Sequence, residues 1–247
     1  MSILSSSAAP NGQPPRGFWS TIATYVVNPF TAASVAILPV FRDLIAKSAQ
    51  QIGTSRPRIT FTQGVRQGRK DALKIGGTVM AQSLVQQGTE HALIRTGIVE
   101  TENMATMLAG SAVSGTLLSP ALAIINGRTM ELSVRDIWQR FSAQQCKAIA
   151  FRETFFVAGL AASKYLATPM KRVIGDNKVT EYCAAWLGGV FGSLAGHPAD
   201  TALTRLQNGM PFEWRTSMRG ALTKARGIGL FAVLYKGGKD ILNTMCK

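Results

Sequence analysis

Residues 192–207 read Gly-Ser-Leu-Ala-Gly-His-Pro-Ala-Asp-Thr-Ala-Leu-Thr-Arg-Leu-Gln, an apolar, glycine-bearing run that meets Pro198 and then turns polar. A proline inside a helix removes one backbone hydrogen bond and kinks the rod. Asp200 lies two residues past that kink, with Arg205 at seven and Gln207 at nine. In an apolar run a carboxylate is costly unless it faces an interior and has a partner. Within a bilayer, the carbonyl freed by the proline also needs a neighbouring helix or a polar cavity. The stretch therefore predicts a broken, cavity-lining membrane helix, and the rest of the chain can be searched for copies of it.

Composition agrees with a membrane environment. Of 247 residues, 46% are hydrophobic and only 16% charged, below the ~25% charged share of ordinary soluble domains. A net charge of +14 suits nucleic acid, but two uncharged stretches of 25 residues, 17–41 and 103–127, argue against a soluble basic binder. About 20 apolar residues suffice to span a bilayer. Cys146, Cys183 and Cys246 have no metal or redox spacing and read as buried free thiols. No Gly-rich phosphate loop, Cys/His cluster or nucleophile constellation is present, so no enzyme, cofactor or metal site is expected. Residues 1–16, with Arg16 their sole charge, read as a flexible Ser/Pro/Gly-rich tail rather than a secretory or Arg-rich transit segment.

Six helical spans emerge in chain order. The first covers 18–41, contains Pro29 and ends at Pro39; the second starts near Ala72, with its uncharged part at 75–89. The third, 103–127, carries Gly110, Ser111, Ser114 and Gly115 before Pro120, small residues that let membrane helices approach. A surface helix at 133–141 places Trp138 at an interface. The fourth helix begins near Ala148, the fifth covers 182–199, and the sixth runs from near Leu222 to Leu242.

These spans repeat. Pro39, Pro120 and Pro198 are separated by 81 and 78 residues. Lys74, Arg152 and Arg226 each open an apolar run on an even helix, each with an aromatic 12 to 14 residues earlier, at Phe61, Trp138 and Trp214. The chain therefore divides into a tail, 1–16, and three two-helix units, 17–98, 99–175 and 176–247. Charge is one-sided as well. Segments 42–74, 128–152 and 200–226 carry a net +12, and the segments on the opposite face only +3. That bias fits six spans with both termini on the less positive side.

Three tandem two-span repeats, a proline near the end of each odd helix, and termini on one side resemble the mitochondrial carrier family over about residues 17–245. The family's signature is proline, an acid at +2, bases at +5 and +7, and often glutamine at +9. Pro198, Asp200, Arg205 and Gln207 match it, with Leu203 in place of the +5 base. The second repeat keeps Pro120 but has Leu122 and Ile125; the first keeps Pro39 but has Phe41 and Leu44. The resemblance implies an all-α membrane protein with six transmembrane helices, short surface helices and a pseudo-three-fold bundle around a central cavity. It implies alternating access, with rings of inter-repeat ion pairs closing each end in turn. It places the chain in the mitochondrial inner membrane as a multi-pass transporter, among lipids, moving a small solute and binding no nucleic acid. Both rings lack members here: Asp200 has no +5 base in any repeat, and Tyr235-Lys-Gly-Gly-Lys239 has lysine where the second ring needs an acid. That opens a second reading, a non-transporting carrier-fold subunit of a larger mitochondrial complex or an outer-membrane relative.

The quasi-symmetric trio Lys74, Arg152 and Arg226 is the candidate substrate face, able to converge on an anionic or amino-acid-like solute. The alternative is that these side chains snorkel at helix ends. Arg152-Glu153 looks like the arginine–acid pair of family members that carry amino acids, and Arg226-Gly-Ile-Gly is similar to the sixth helix of nucleotide carriers. The Arg-Arg-Arg-Met-Met-Met run of ADP/ATP carriers is absent. Gate or kink positions are Pro39, Pro120, Pro198, Asp200, Arg205 and Gln207. Asp200 is either a remnant gate charge or a helix-contact group bonded to Thr201 or Arg205, and His197 is a hydrogen-bond partner rather than a proton relay.

Overall fold

A computed structural model describes residues 22–54, 59–99 and 103–245. The tail 1–16, the start of the first span, Arg56, Arg58 and Cys246 lie outside the described residues. Among those described, the regular structure is all helical. A π-helical turn, Ala23–Val27, leads into α1, Asn28–Ile52. Then come α2 (Phe61–Arg95), α3 (Met104–Leu117), α4 (Ser119–Arg128), α5 (Val134–Arg140), α6 (Ala143–Ile174), α7 (Lys178–Ala195), α8 (His197–Gln207), a 3-10 turn at Trp214–Thr216, and α9 (Ala221–Met245).

The starts of five helices are written in their caps. Thr60, Asn103, Ser133, Ser142 and Asn177 each accept a hydrogen bond from the backbone N–H three residues on. This satisfies donors that a helix N-terminus otherwise leaves orphaned. At Thr60 and Asn103 the bond is reciprocated by Gln63 and Thr106, forming capping boxes. α1 ends at Gly53, whose φ of 82° is the left-handed conformation a closing residue needs.

The prolines act differently from one another. Pro120 and Pro198 each sit in the first turn of a new helix, where a missing N–H costs nothing. The chain bends by 70° between α3 and α4. Pro39, expected to end the first span, instead lies inside α1, which continues to Ile52. α1 is packed along its length between α2 and α9, and that packing outweighs the one hydrogen bond Pro39 deletes. The even helices also start earlier than the expected Ala72 and Ala148, because the capped stretches at Phe61 and Ala143 add turns to α2 and α6.

The helices close on themselves. α1 packs on α2, α2 on α3, α3 on α6, α6 on α7, α7 on α9, and α9 returns to α1. The post-proline helices α4 and α8 turn across one end of this ring and meet each other, and α8 also meets α1. Packing around the ring is tight where glycines replace side chains. Gly159 on α6 faces Gly188 and Gly192 on α7.

The interior mixes two apolar clusters, one around Ile37, Val40, Phe41 and Phe231 and one around Leu122, Ile137, Ile149 and Leu203, with an unusual share of enclosed polar and charged side chains. Fully enclosed positions include Lys47, Gln51, Gln145, Asp200, Arg205 and Gln207, whereas Val35, Leu73, Leu84, Phe151, Trp186, Phe191 and Ile241 face outward. The expectation that the cysteines are buried does not hold. Cys183 is exposed on the outward face of α7 and Cys146 is half-buried, its sulfur 3.2 Å from Ser119 Oγ. Among the described residues one helix, Thr24–Ile52, is long and apolar enough to cross a membrane, and the bent pair α3–α4 passes the same test together, so length and composition mark out fewer spans than the six expected.

Candidate functional site

The ring encloses a cavity of about 580 Å³, lined by α2, α6, α7 and α9. A narrower inner chamber of about 140 Å³ continues from it towards α4 and α8, the two sharing Val79, Gln82, Phe156 and Phe231. Its floor is a buried charge cluster centred on Asp200, the residue two past Pro198. Pro198 lies in the first turn of α8, after the break from α7 at Gly196, and Asp200 follows in that first turn.

Four elements supply partners. Lys47 Nζ of α1 lies 2.9 Å from Asp200 Oδ2, and Gln51 Nε2, one turn on, donates to the same oxygen at 2.9 Å. Arg152 Nη1 of α6 donates to Asp200 Oδ1 at 3.2 Å. Lys224 Nζ of α9 stands 3.5 Å from Oδ2. Arg152 Nε also donates to Glu153 Oε1 at 2.7 Å, and Gln82 Nε2 of α2 donates to Glu153 Oε2 at 2.7 Å. Side-chain exposure is 2% for Asp200 and 3% for Lys47, so water does not screen these pairs.

Beneath the charges lies a neutral hydrogen-bonded layer. Asn126 accepts from Lys47 at 3.5 Å and donates to Gln207 Oε1 at 2.8 Å and to Thr204 Oγ1 at 3.3 Å. Gln207 Nε2 donates to the Ala123 carbonyl at 2.8 Å. Ser48 and Thr129, at the same distance past Pro39 and Pro120, bond each other at 2.8 Å. All three post-proline segments therefore meet here.

These contacts revise the expectations for site residues. Asp200 was expected either as a remnant gate charge without a +5 base or as a helix-contact group bonded to Thr201 or Arg205; its partners are Lys47, Gln51, Arg152 and Lys224, none of them at a +5 position and neither of the two local groups among them. Arg205 stays outside the Asp200 cluster. It donates to the Pro211 carbonyl at 2.7 Å and to Glu213 at 3.1 Å, clamping the loop after α8. Gln207 does bridge repeats, through Asn126 and Ala123.

The trio Lys74, Arg152 and Arg226 does not converge. Arg152 alone enters the chamber. The Lys74 side chain is 60% exposed beside Asp71, and Arg226, 62% exposed, forks onto Asp43. A residue two positions from Arg226 is turned about 200° around the helix, which is why Lys224 lines the floor and Arg226 faces out. Lys74→Gln is accordingly expected to change stability by less than about 1 kcal/mol, since Arg128 remains 3.7 Å from Asp71. Thermal unfolding of the two proteins checks this, and a loss of several degrees would restore Lys74 to the site.

His197 is enclosed, with Nε2 donating to the Arg219 carbonyl at 2.9 Å and Nδ1 left without a partner among the described residues. That single backbone bond is a packing role and offers no relay. At the wide end, Lys171 pairs with Asp176 at 2.8 Å and with Glu181 at 3.2 Å, while Lys236 pairs with Glu181 at 3.1 Å and Asp240 at 3.3 Å. Hydrogen bonds from Lys236 and then Lys171 hold the Glu181 carboxylate below its ordinary range. Those to Asp176 and Glu181 raise Lys171. Lys236, which stood where an acid was expected, thus finds acids on α7 and on its own helix.

Lys47, Gln51, Gln82, Asn126 and Lys224 were not singled out from sequence. A signal existed for the first two: Asp43, Lys47 and Gln51 recur every fourth residue, a polar stripe on an otherwise apolar helix. Comparison with protein-family models and with curated proteins gives no match for this chain.

Proposed function

We propose that the chain is a divergent mitochondrial-carrier-like protein: six membrane spans in three two-helix repeats, pseudo-three-fold about the cavity, in the mitochondrial inner membrane. It moves a small anionic or amino-acid-like solute by alternating access. One observation carries the reading: a ring of helices surrounds a cavity that is wide at one end and closed at the other by buried ion pairs drawn from different repeats. A cavity closed by polar contacts between different helices can open when those contacts exchange partners, which is what alternating access needs. The outward-facing leucine, phenylalanine and tryptophan, with charged and amide side chains enclosed inside, support a lipid surround, because such a surface suits hydrocarbon better than water. Asp200 paired to Lys47 of the first repeat supports an inter-repeat lock, with the base eight residues past Pro39 instead of five.

Uptake by proteoliposomes containing the purified protein, offered a panel of small anions and amino acids, tests the transport reading. Saturable uptake of one class is expected. Labelling of introduced cysteines should place 42–74 and 200–226 on the same membrane face, and opposite faces would overturn the topology.

A second reading keeps the fold without transport: a subunit of a larger membrane complex, or an outer-membrane relative. It is favoured by the one-sidedness of the lock. Asp200 is held by three cations, while the equivalent positions in the other repeats are Phe41 and Leu122. Absence of any uptake together with co-purification in a large assembly would select it.

A further inference from the structure

We propose that the inner chamber is a binding site for a monocarboxylate with a compact apolar body and no amino group, held through Lys224. The inference rests on the carrier reading for the meaning of the chamber as a solute site, and it narrows the solute.

Charge counting comes first. Five charged side chains line the chamber: Lys47, Arg152 and Lys224 against Glu153 and Asp200. With all three bases protonated, the cluster holds one positive charge without a counterion in its walls. A buried charge left uncompensated is costly, so a single negative charge from a ligand completes the site. A dianion would overshoot, and a cation would add to the excess.

Hydrogen bonding then identifies the group that receives it. Both carboxylates are already engaged, Asp200 on both oxygens by Arg152, Lys47 and Gln51, and Glu153 by Arg152 and Gln82. No carboxylate stands vacant for a ligand ammonium, and a zwitterionic α-amino acid, with no net charge, would leave the positive charge uncompensated. Lys224 differs. Its 3.5 Å approach to Asp200 is the longest in the cluster, and among the described residues its ammonium makes no hydrogen bond. An ammonium has three donors, and this one is only 8% exposed. It lacks an acceptor on the chamber side.

The walls define the rest of the ligand. Ile75, Val79, Phe156, Ile228 and Phe231 surround the space above Lys224. The volume, about 140 Å³, is close to the roughly 150 Å³ apolar cavity that accommodates a benzene-sized body. Access is through the wide cavity, with which the chamber shares Phe156 and Phe231.

The test uses the full-length protein in detergent and 4-methylpentanoate as the probe, with binding read by calorimetry. The carboxylate is expected to bind at least about tenfold more tightly than its neutral amide 4-methylpentanamide, than leucine, or than succinate. Lys224→Gln should lose that preference for carboxylate over amide, Lys224→Arg should retain it, and Lys74→Gln should leave it unchanged. Equal binding of acid and amide by the native protein, a preference for leucine or succinate, no binding at all, or an unaltered preference in Lys224→Gln would each overturn the assignment. The acid–amide comparison on native protein decides the matter even if a variant fails to fold. Liposome uptake separates this inference from the function proposed above. Transport of succinate with no binding of 4-methylpentanoate refutes the monocarboxylate site alone. Selective binding of 4-methylpentanoate with no transport of any solute refutes transport and leaves the site standing.

Discussion

Asp200→Asn should unfold at a temperature about 6–20 °C below the native protein, a loss of about 3–5 kcal/mol. The substitution keeps the size of the side chain and removes one charge. Lys47, Arg152 and Lys224 then surround a neutral amide, and all three are enclosed at the floor of the chamber. Breaking a buried pair from one side costs more than the pair itself contributes, since the surviving charges keep their desolvation penalty. Glu153 can offset only Arg152, with which it already pairs at 2.7 Å. Removing a cation together with the acid should recover part of the loss. In an Asp200→Asn/Lys47→Met double variant the two effects should fall short of their sum by about 1 kcal/mol or more. Thermal unfolding of the two single variants and the double variant in one detergent gives that coupling. A single-variant loss under about 1 kcal/mol, or strict additivity, would mean that Asp200 is not the hub of the closed end.

Much of this arrangement was legible in the chain, and the reason it stopped where it did is physical. The kinked stretch at Pro198 pointed to an interior carboxylate with a partner, because a charge in an apolar helix has few other options. The uncharged runs and the repeat spacing located the elements, while the caps at Ser142 and Asn177, which set where α6 and α7 start, were not read from the sequence. What a linear motif cannot supply is the direction a long side chain takes after folding. Lys47 reaches Asp200 from 153 residues away, at an offset the +5 pattern does not include. Lys224 and Arg226 look interchangeable in sequence and lie on nearly opposite faces of α9. Pro39 and Pro120 look alike too, yet Pro120 begins a new helix while Pro39 lies inside α1, which packs between α2 and α9 and continues to Ile52. The repeat spacing therefore located the floor, and tertiary packing chose which residues of each repeat form it.

Gly159→Val should be severely destabilising. A Cβ at Gly159 meets the Gly188 carbonyl oxygen, and Gly192 Cα at 2.5 Å and Gly192 N at 2.7 Å. All three are backbone atoms, so no rotamer change relieves the clash and α6 must move away from α7. Overpacking in a close-packed interior costs about 1–3 kcal/mol when side chains can adjust. Here the opposing surface is a glycine-lined helix that cannot, and a loss at or beyond the top of that range is expected. The same contact continues toward the charge cluster: Gly188, Gly192 and Gly196 recur every fourth residue, and a Cβ at Gly196 would meet the Arg152 carbonyl oxygen at 3.0 Å. Separating the helices therefore also draws Arg152 away from Asp200, coupling a packing defect to the lock. Gly77 provides the contrast. It lies inside α2 with nothing within 4 Å of a built Cβ. Gly77→Ala should be neutral or stabilising by about 0.5–1 kcal/mol, the helix-propensity difference alone. Unfolding of the two variants side by side distinguishes close helix contact from a general intolerance of glycine replacement. If Gly159→Val were as benign as Gly77→Ala, α6 and α7 would not approach at backbone distance, and Arg152 would not be held over Asp200 by the packing of the two helices.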